Sequence, residues 1–105
     1  MYNFENKTVI ISGGASGLGF LCGKCFAKEG ANVVLADINK EALDEKIKEI
    51  TDNGGKAAAA VTDVRDYKQV CAARDLAVEK FSSADVMINC AGGAEMRMLN
   101  AYHYG

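Results

Sequence analysis

Apolar residues along this chain fall in short blocks whose period alternates between that of a strand and that of a helix. Val9-Ile10-Ile11, within Lys7 to Ser12, is a continuous β-branched run and predicts a buried strand. Asn32-Val33-Val34-Leu35-Ala36 predicts a second strand, ending in Asp37. Val86-Met87-Ile88-Asn89 predicts a fourth. Lys56 to Val61 is a weaker third strand, because its four alanines favour helix by intrinsic propensity. The flanking glycines and the alternation of elements argue for strand there.

Between these runs the period lengthens. Leu18, Leu21, Cys22, Cys25 and Phe26 follow helical spacing and predict one buried face of a helix over about Gly17 to Glu29, stopped by Gly30. Asn39 is placed to cap a helix over Lys40 to Asp52, with Leu43, Ile47 and Ile50 on one face and Asn53-Gly54-Gly55 ending it. A third helix is expected from about Tyr67 to Phe81, with Val70, Ala73, Ala77 and Phe81 inward. The resulting order is βαβαβαβ, with crossovers long enough for parallel pairing. This predicts an α/β fold built on a doubly wound parallel sheet, or the first portion of one.

Composition narrows the function classes. The 105 residues are one domain or part of one, 50% hydrophobic and 25% charged, as in globular chains. A net charge of -2 with no basic stretch argues against nucleic acid as a partner. No apolar run approaches membrane-spanning length, and Met1 to Asn6 lacks the regions of a signal peptide, so the expected compartment is the cytoplasm. The Cys22-Gly23-Lys24-Cys25 spacing suggests a redox or zinc motif, but Cys71 and Cys90 are singletons and supply no second pair. Thiols packed as small hydrophobes are the expectation.

Chemistry concentrates after the strands, where ligands bind in doubly wound sheets. The first strand is followed by Ser12-Gly13-Gly14-Ala15-Ser16-Gly17-Leu18-Gly19, which opens a helix. Glycines permit a tight turn and close approach of the backbone, and the helix start offers N–H groups to an anion such as a pyrophosphate. Asp37 ends the second strand twenty residues after Gly17, where an acid accepts hydrogen bonds from the adenosine ribose hydroxyls. That carboxylate repels a 2′-phosphate, and neither Ala15 nor Ile38 supplies a basic side chain, so NAD is favoured over NADP. Asp63 and Val64 follow the third strand, and Asn89 to Gly93 follow the fourth. A nucleoside-triphosphate P-loop is excluded, since Gly23-Lys24 would need glycine at 18 and Ser or Thr at 25.

The Gly13-x-x-x-Gly17-x-Gly19 spacing resembles the T-G-x-x-x-G-x-G signature of short-chain dehydrogenases/reductases, with Ser12 in place of threonine. Asp63-Val64 resembles that family's acidic motif at the adenine. Asn89-Cys90-Ala91-Gly92 resembles its N-N-A-G motif, with Cys90 in place of the second asparagine. The resemblance covers residues 7 to 93. It implies a Rossmann fold and reversible hydride transfer between NAD(H) and an alcohol or carbonyl substrate. The cofactor-binding candidates are Gly13, Ser16, Gly17, Leu18 and Gly19 in the turn, Asp37 and Ile38, Asp63 and Val64, and Asn89, Ala91 and Gly92. For a full-length form the resemblance also implies a homo-oligomer.

The family's catalytic serine and Y-x-x-x-K pair lie downstream of N-N-A-G, and no Y-x-x-x-K occurs in this chain. No catalytic residue is assigned, and residues 1–105 are expected to be a cofactor-binding segment truncated before the catalytic portion. Residues 94–105 look like the start of a segment leading onward, which would leave an unpaired edge on the fourth strand. A non-catalytic nucleotide-binding or interaction module is the alternative, separated from the enzyme by whether the reading frame continues through a Ser and Y-x-x-x-K.

Overall fold

The computed structural model describes residues 4–90 and a strand at 95–98. The elements run β1 (Thr8–Ser12), α1 (Gly17–Lys28), β2 (Asn32–Asp37), α2 (Lys40–Asp52), β3 (Lys56–Val61), α3 (Tyr67–Phe81), β4 (Val86–Asn89) and β5 (Glu95–Met98). They form one sheet in the order β3-β2-β1-β4-β5. The first four strands are mutually parallel, so the expected doubly wound α/β sheet is present.

Every residue of β1 is buried, as are five of the six in β2, which is why these strands read as unbroken apolar runs. Their side chains alternate between two cores. Val9, Ile11, Val33, Leu35, Val86 and Ile88 pack with Phe20 of α1 and with Leu43 and Ile50 of α2. Ile10, Val34 and Ala36 pack on the opposite face with Ala73 and Ala77 of α3. Helices therefore cover both faces of the sheet.

The alanine run of β3 is held in strand geometry by parallel pairing with β2 from Asn32↔Lys56 to Asp37↔Val61. Pairing and burial override the helical preference of alanine there. Asn39 caps α2 as expected, its side-chain oxygen accepting from Ala42 N at 3.1 Å. Buried Asp85 fastens the start of the sheet. Its Oδ2 accepts from Thr8 N at 2.9 Å, while Asp85 N donates to Thr8 O at 2.9 Å.

The buried face of α1 differs from the expected one. Leu18 and Leu21 are 51% and 53% exposed and Cys25 is exposed, whereas Gly19, Phe20 and Gly23 are buried. Cys22 and Phe26 keep their predicted inward setting, partly buried against the core. The helix sits so close to the sheet that a Cβ on Gly23 would lie 3.0 Å from Leu35 Cδ2. Glycines thus set the contact face, and a pattern read from large apolar residues alone is rotated away from it.

The expected βαβαβαβ order also omits an element. β5 pairs antiparallel with β4, from Val86↔Met98 to Asn89↔Glu95, so the edge of β4 expected to be open is paired and the sheet is mixed. Antiparallel pairing needs only a short connection, unlike the helical crossovers of the parallel strands.

Candidate functional site

The winding of the sheet reverses at β1, which lies between β2 and β4. Such a switch point opens a crevice beyond the carboxyl ends of the strands. Ser12 pairs with Ala36 on one side and Asn89 on the other, and its Oγ donates to Asn89 Oδ1 at 2.8 Å. This ties the ends of β1 and β4 together directly beneath the glycine-rich turn.

The turn is built around Ser16, the N-cap of α1. Its Oγ donates to Gly13 O at 2.6 Å and accepts from Gly19 N at 3.1 Å. Gly13 turns at φ 70°, and a Cβ on Gly19 would fall 2.1 Å from the Gly13 carbonyl oxygen. Phe20 N donates to Ser16 O at 2.9 Å and begins the helical ladder. Among the described residues, the cap and ladder leave the N–H groups of Gly17 and Leu18 unused at the helix start. Both residues are exposed, and a Cβ on Gly17 would meet nothing within 4 Å.

Asp37 is fixed against this turn. Its Oδ2 accepts from Ala15 N at 3.1 Å and its Oδ1 from Asn39 N at 3.2 Å, while Gly14 N donates to Ala36 O at 3.0 Å. The end of β3 joins through buried Thr62, whose N donates to Asp37 O at 2.8 Å. Asp63 comes next. Arg65 grips its carboxylate with Nε at 3.0 Å and Nη2 at 2.9 Å, and the Arg65 backbone N donates to it as well. These hydrogen bonds hold the Asp63 carboxyl below the usual carboxylate range and raise Arg65.

These segments enclose one groove of about 360 Å³. It runs from Gly13 and Ser16 past Asp37 and Ile38 to Asp63, Val64 and Arg65, with Thr62 and Cys90 completing its walls. Ile38 is 64% exposed and Val64 39% exposed, presenting apolar surface at its rim. Asn89 lies instead in an adjoining groove of about 520 Å³ with Ser12, Met87, Val64 and Arg65. Gly17 and Leu18 flank the turn at the helix start, whereas Gly19 is buried behind it. Ala91 and Gly92 lie outside the described residues.

Three groove residues, Thr62, Arg65 and Cys90, are not among the cofactor-binding candidates of the sequence. Thr62 carries no motif. Arg65 carries a legible signal, a cation two residues after Asp63 in a loop, but it stands at neither 15 nor 38, the positions where a basic side chain is expected to meet a 2′-phosphate. A larger groove of about 640 Å³ lies between the carboxyl ends of α1 and α2, at the opposite edge of the sheet, lined by Lys24, Lys28, Glu49 and Ile50. No strand end contributes to it. Among the described residues, no cluster of His, Cys, Asp and Glu could hold a metal ion, and no helix is long and apolar enough to cross a membrane.

Comparison with known proteins agrees with this geometry. The family model for short chain dehydrogenases matches residues 7–103. The 7alpha-hydroxysteroid dehydrogenase of Escherichia coli K12 is 36% identical over 98 residues, covering 89% of this chain and 38% of that protein. The solved 7 alpha-hydroxysteroid dehydrogenase complexed with NADH and 7-oxo glycochenodeoxycholic acid superposes with a TM-score of 0.79 at 33% identity, over 83% of this chain and 34% of the other. A short chain dehydrogenase/reductase from Burkholderia phymatum in complex with NAD gives a TM-score of 0.78 at 31% identity, over 83% and 31%. The chain thus spans about a third of the length of the curated relatives it matches. With a switch-point groove, a glycine-rich turn capped by Ser16 and a family match over nearly its whole length, this chain belongs to the short-chain dehydrogenase/reductase family.

Proposed function

We propose that this chain is the dinucleotide-binding part of an oxidoreductase that transfers hydride between NAD(H) and an alcohol or carbonyl substrate. The observation that carries this reading is the convergence of the turn, Asp37 and Asp63 on one groove at the carboxyl edge of the sheet. The donor set fits the cofactor. The N–H groups of Gly17 and Leu18 suit a pyrophosphate, and the space beside Gly17, where a Cβ would meet nothing within 4 Å, is open for its approach. Asp37, oriented by Ala15 N and Asn39 N, retains lone pairs for ribose hydroxyls. Asp63 and Val64 border the place for adenine, with Ile38 offering apolar surface to the base, and Asn89 lies on the side of the nicotinamide ribose. Two relatives of solved structure, crystallised with NADH and NAD, support the cofactor class.

Charge sets the choice between NAD and NADP. Asp37 and Asp63 contribute two negative charges and Arg65 one positive, and that guanidinium is committed to Asp63. A 2′-phosphate beside Asp37 would meet an uncompensated carboxylate, which supports NAD over NADP as the cofactor. When bound, the nicotinamide supplies the hydride acceptor or donor. This chain's residues bind and orient it, and with no Y-x-x-x-K among them they turn over no alcohol by themselves. Fluorescence titration of the purified chain with NADH and NADPH tests the reading. NADH is expected to bind at least about tenfold tighter, a difference of about 1.4 kcal/mol, and Asp37→Ser is expected to narrow the ratio. NADPH binding as tightly as NADH would refute the NAD assignment, and binding of neither would refute the site.

A further inference from the structure

Asp63 meets the groove with its orientation already fixed. Its N donates to Gln69 Oε1 at 2.8 Å, and its carbonyl oxygen accepts from Asp66 N at 2.9 Å. Gln69 Nε2 in turn donates at 3.2 Å to Oδ2 of Asp66, the N-cap of α3. The loop backbone is thereby fastened to the helix that follows it. The carboxylate is gripped by Arg65, whose backbone N and Nε both donate to Oδ1 at 3.0 Å and whose Nη2 donates to Oδ2 at 2.9 Å. A carboxylate offers about four lone-pair positions, half of them on each oxygen. Arg65 fills those on Oδ1 and one on Oδ2. Among the described residues, a single position on Oδ2 is left for a ligand.

We propose that Arg65 is a positioning residue that sets base selectivity. It locks the Asp63 carboxylate so that this end of the groove accepts a dinucleotide whose base carries an amino group and rejects one with an oxo group in its place. This rests on the reading of the groove as a dinucleotide site with the base beside Asp63. An amino group donates an N–H to the remaining Oδ2 position. An oxo group brings only lone pairs and sets one acceptor against another. A loose carboxylate would turn to water and escape that clash. One held by a planar fork and by its own loop stays in place, so the wrong base leaves it unpaired and is penalised in full.

Charge and geometry make separable contributions. Arg65 is the cation among the groove's lining residues, facing Asp37 and Asp63, so its removal weakens a dinucleotide with either base. Lysine at this position would keep the charge but lose the fork. The Arg65 side chain is 84% exposed and that of Asp63 26%, so the grip adds little to folding stability and its consequence is read at the ligand.

The test compares NADH with reduced nicotinamide hypoxanthine dinucleotide, in which an oxo group replaces the amino group of the base. Both carry the same fluorescent nicotinamide, so the chain is titrated with each in the same way. Wild type is expected to bind NADH at least about tenfold tighter. In Arg65→Ala and Arg65→Lys that ratio should fall to within about threefold, with the melting temperature close to wild type. Arg65→Ala should also weaken both nucleotides more than Arg65→Lys does. Arg74→Ala, at an exposed arginine of α3, should leave the ratio as it is. A merely structural role would lower both affinities by one factor, so an unchanged ratio in both Arg65 variants would overturn the proposal while leaving the dinucleotide site standing. A ratio that falls in Arg65→Ala alone would assign the effect to charge and overturn the lock. A wild-type ratio near one would overturn it as well. If wild type binds no NADH, the dinucleotide reading itself fails and this proposal fails with it.

Discussion

At the scale of single residues, the turn contains two glycines that share a motif but exist for different physical reasons. Gly19 is required by the fold, because any Cβ there would overlap the Gly13 carbonyl at 2.1 Å and the Gly13 carbon at 2.8 Å. Those are backbone atoms, so no side chain can swing aside. Gly17 has open space around it, and as the first residue of α1 it gains helix propensity on conversion to alanine. Gly19→Ala should therefore lower unfolding stability by about 2 kcal/mol or more. Gly17→Ala should leave it unchanged or raise it by up to about 1 kcal/mol. If the space over Gly17 accommodates a pyrophosphate, the same variant weakens NADH binding by about tenfold. Urea melts and NADH titrations on the two variants check both halves. A Gly17→Ala protein that binds like wild type would place the ligand elsewhere.

Elements show where local pattern and packing agree and where they part. α2 was fully legible, from the Asn39 cap to Asp52, because Leu43, Ile47 and Ile50 stand at helical spacing on an otherwise polar helix. β3 was legible only through its context, since an alanine run favours a strand only when β2 is there to pair with it. α1 was located correctly but rotated, because hydrophobic periodicity gives no weight to glycine, and glycine is what lets this helix approach the sheet. Its inward anchor is Phe20, 8% exposed, whose ring lies 4.7 Å from Lys24 Nζ and 4.8 Å from Lys46 Nζ. The second of these cations belongs to α2, so the ring also helps to join the two helices. β5 was not legible, because a short edge strand carries little periodic signal. The phase of α1 can be measured directly. Phe20→Ala should cost about 3 kcal/mol of stability, as for other buried aromatics. Leu21→Gln, at the adjacent apolar side chain that is 53% exposed, should change it by less than about 0.5 kcal/mol. The reverse ranking in denaturant melts would restore the face expected from Leu18, Leu21 and Cys25.

Across the whole molecule, burial is uneven in a way that follows the order of the strands. β1 is central, paired on both edges and covered on both faces, and β2 is nearly as enclosed. β3 is an edge strand of small side chains with only Ala58 and Ala60 buried. α3 is held to the sheet mainly through Ala73 and Ala77, with Leu76 and Phe81 partly buried beside them. A helix that contributes mostly methyl groups to its core removes less apolar area than α2, which contributes Leu43 and Ile50. The candidate site joins these unequal parts: Ser12 and the turn come from the best-protected strand, while Asp63 and Arg65 stand on the loop between β3 and α3. In the proposed site the rigid side would hold a pyrophosphate in fixed geometry, and the softer side would adjust around a base. Local opening should follow the same gradient, since segments with little buried apolar area open at lower free energy than the global transition. In native-state hydrogen exchange followed residue by residue, amides of Val9 to Ile11 and Val33 to Leu35 should exchange slowest. Amides of α3 should exchange faster than those of α2, although α3 is the longer helix. Binding of NADH should slow exchange most at Ala15, Gly17 and Leu18 and in the loop around Asp63, with little change in β1, which is already near the global limit. Uniform protection of all three helices in the free chain would show that the sheet and its helices open as one unit and that the site has no softer side.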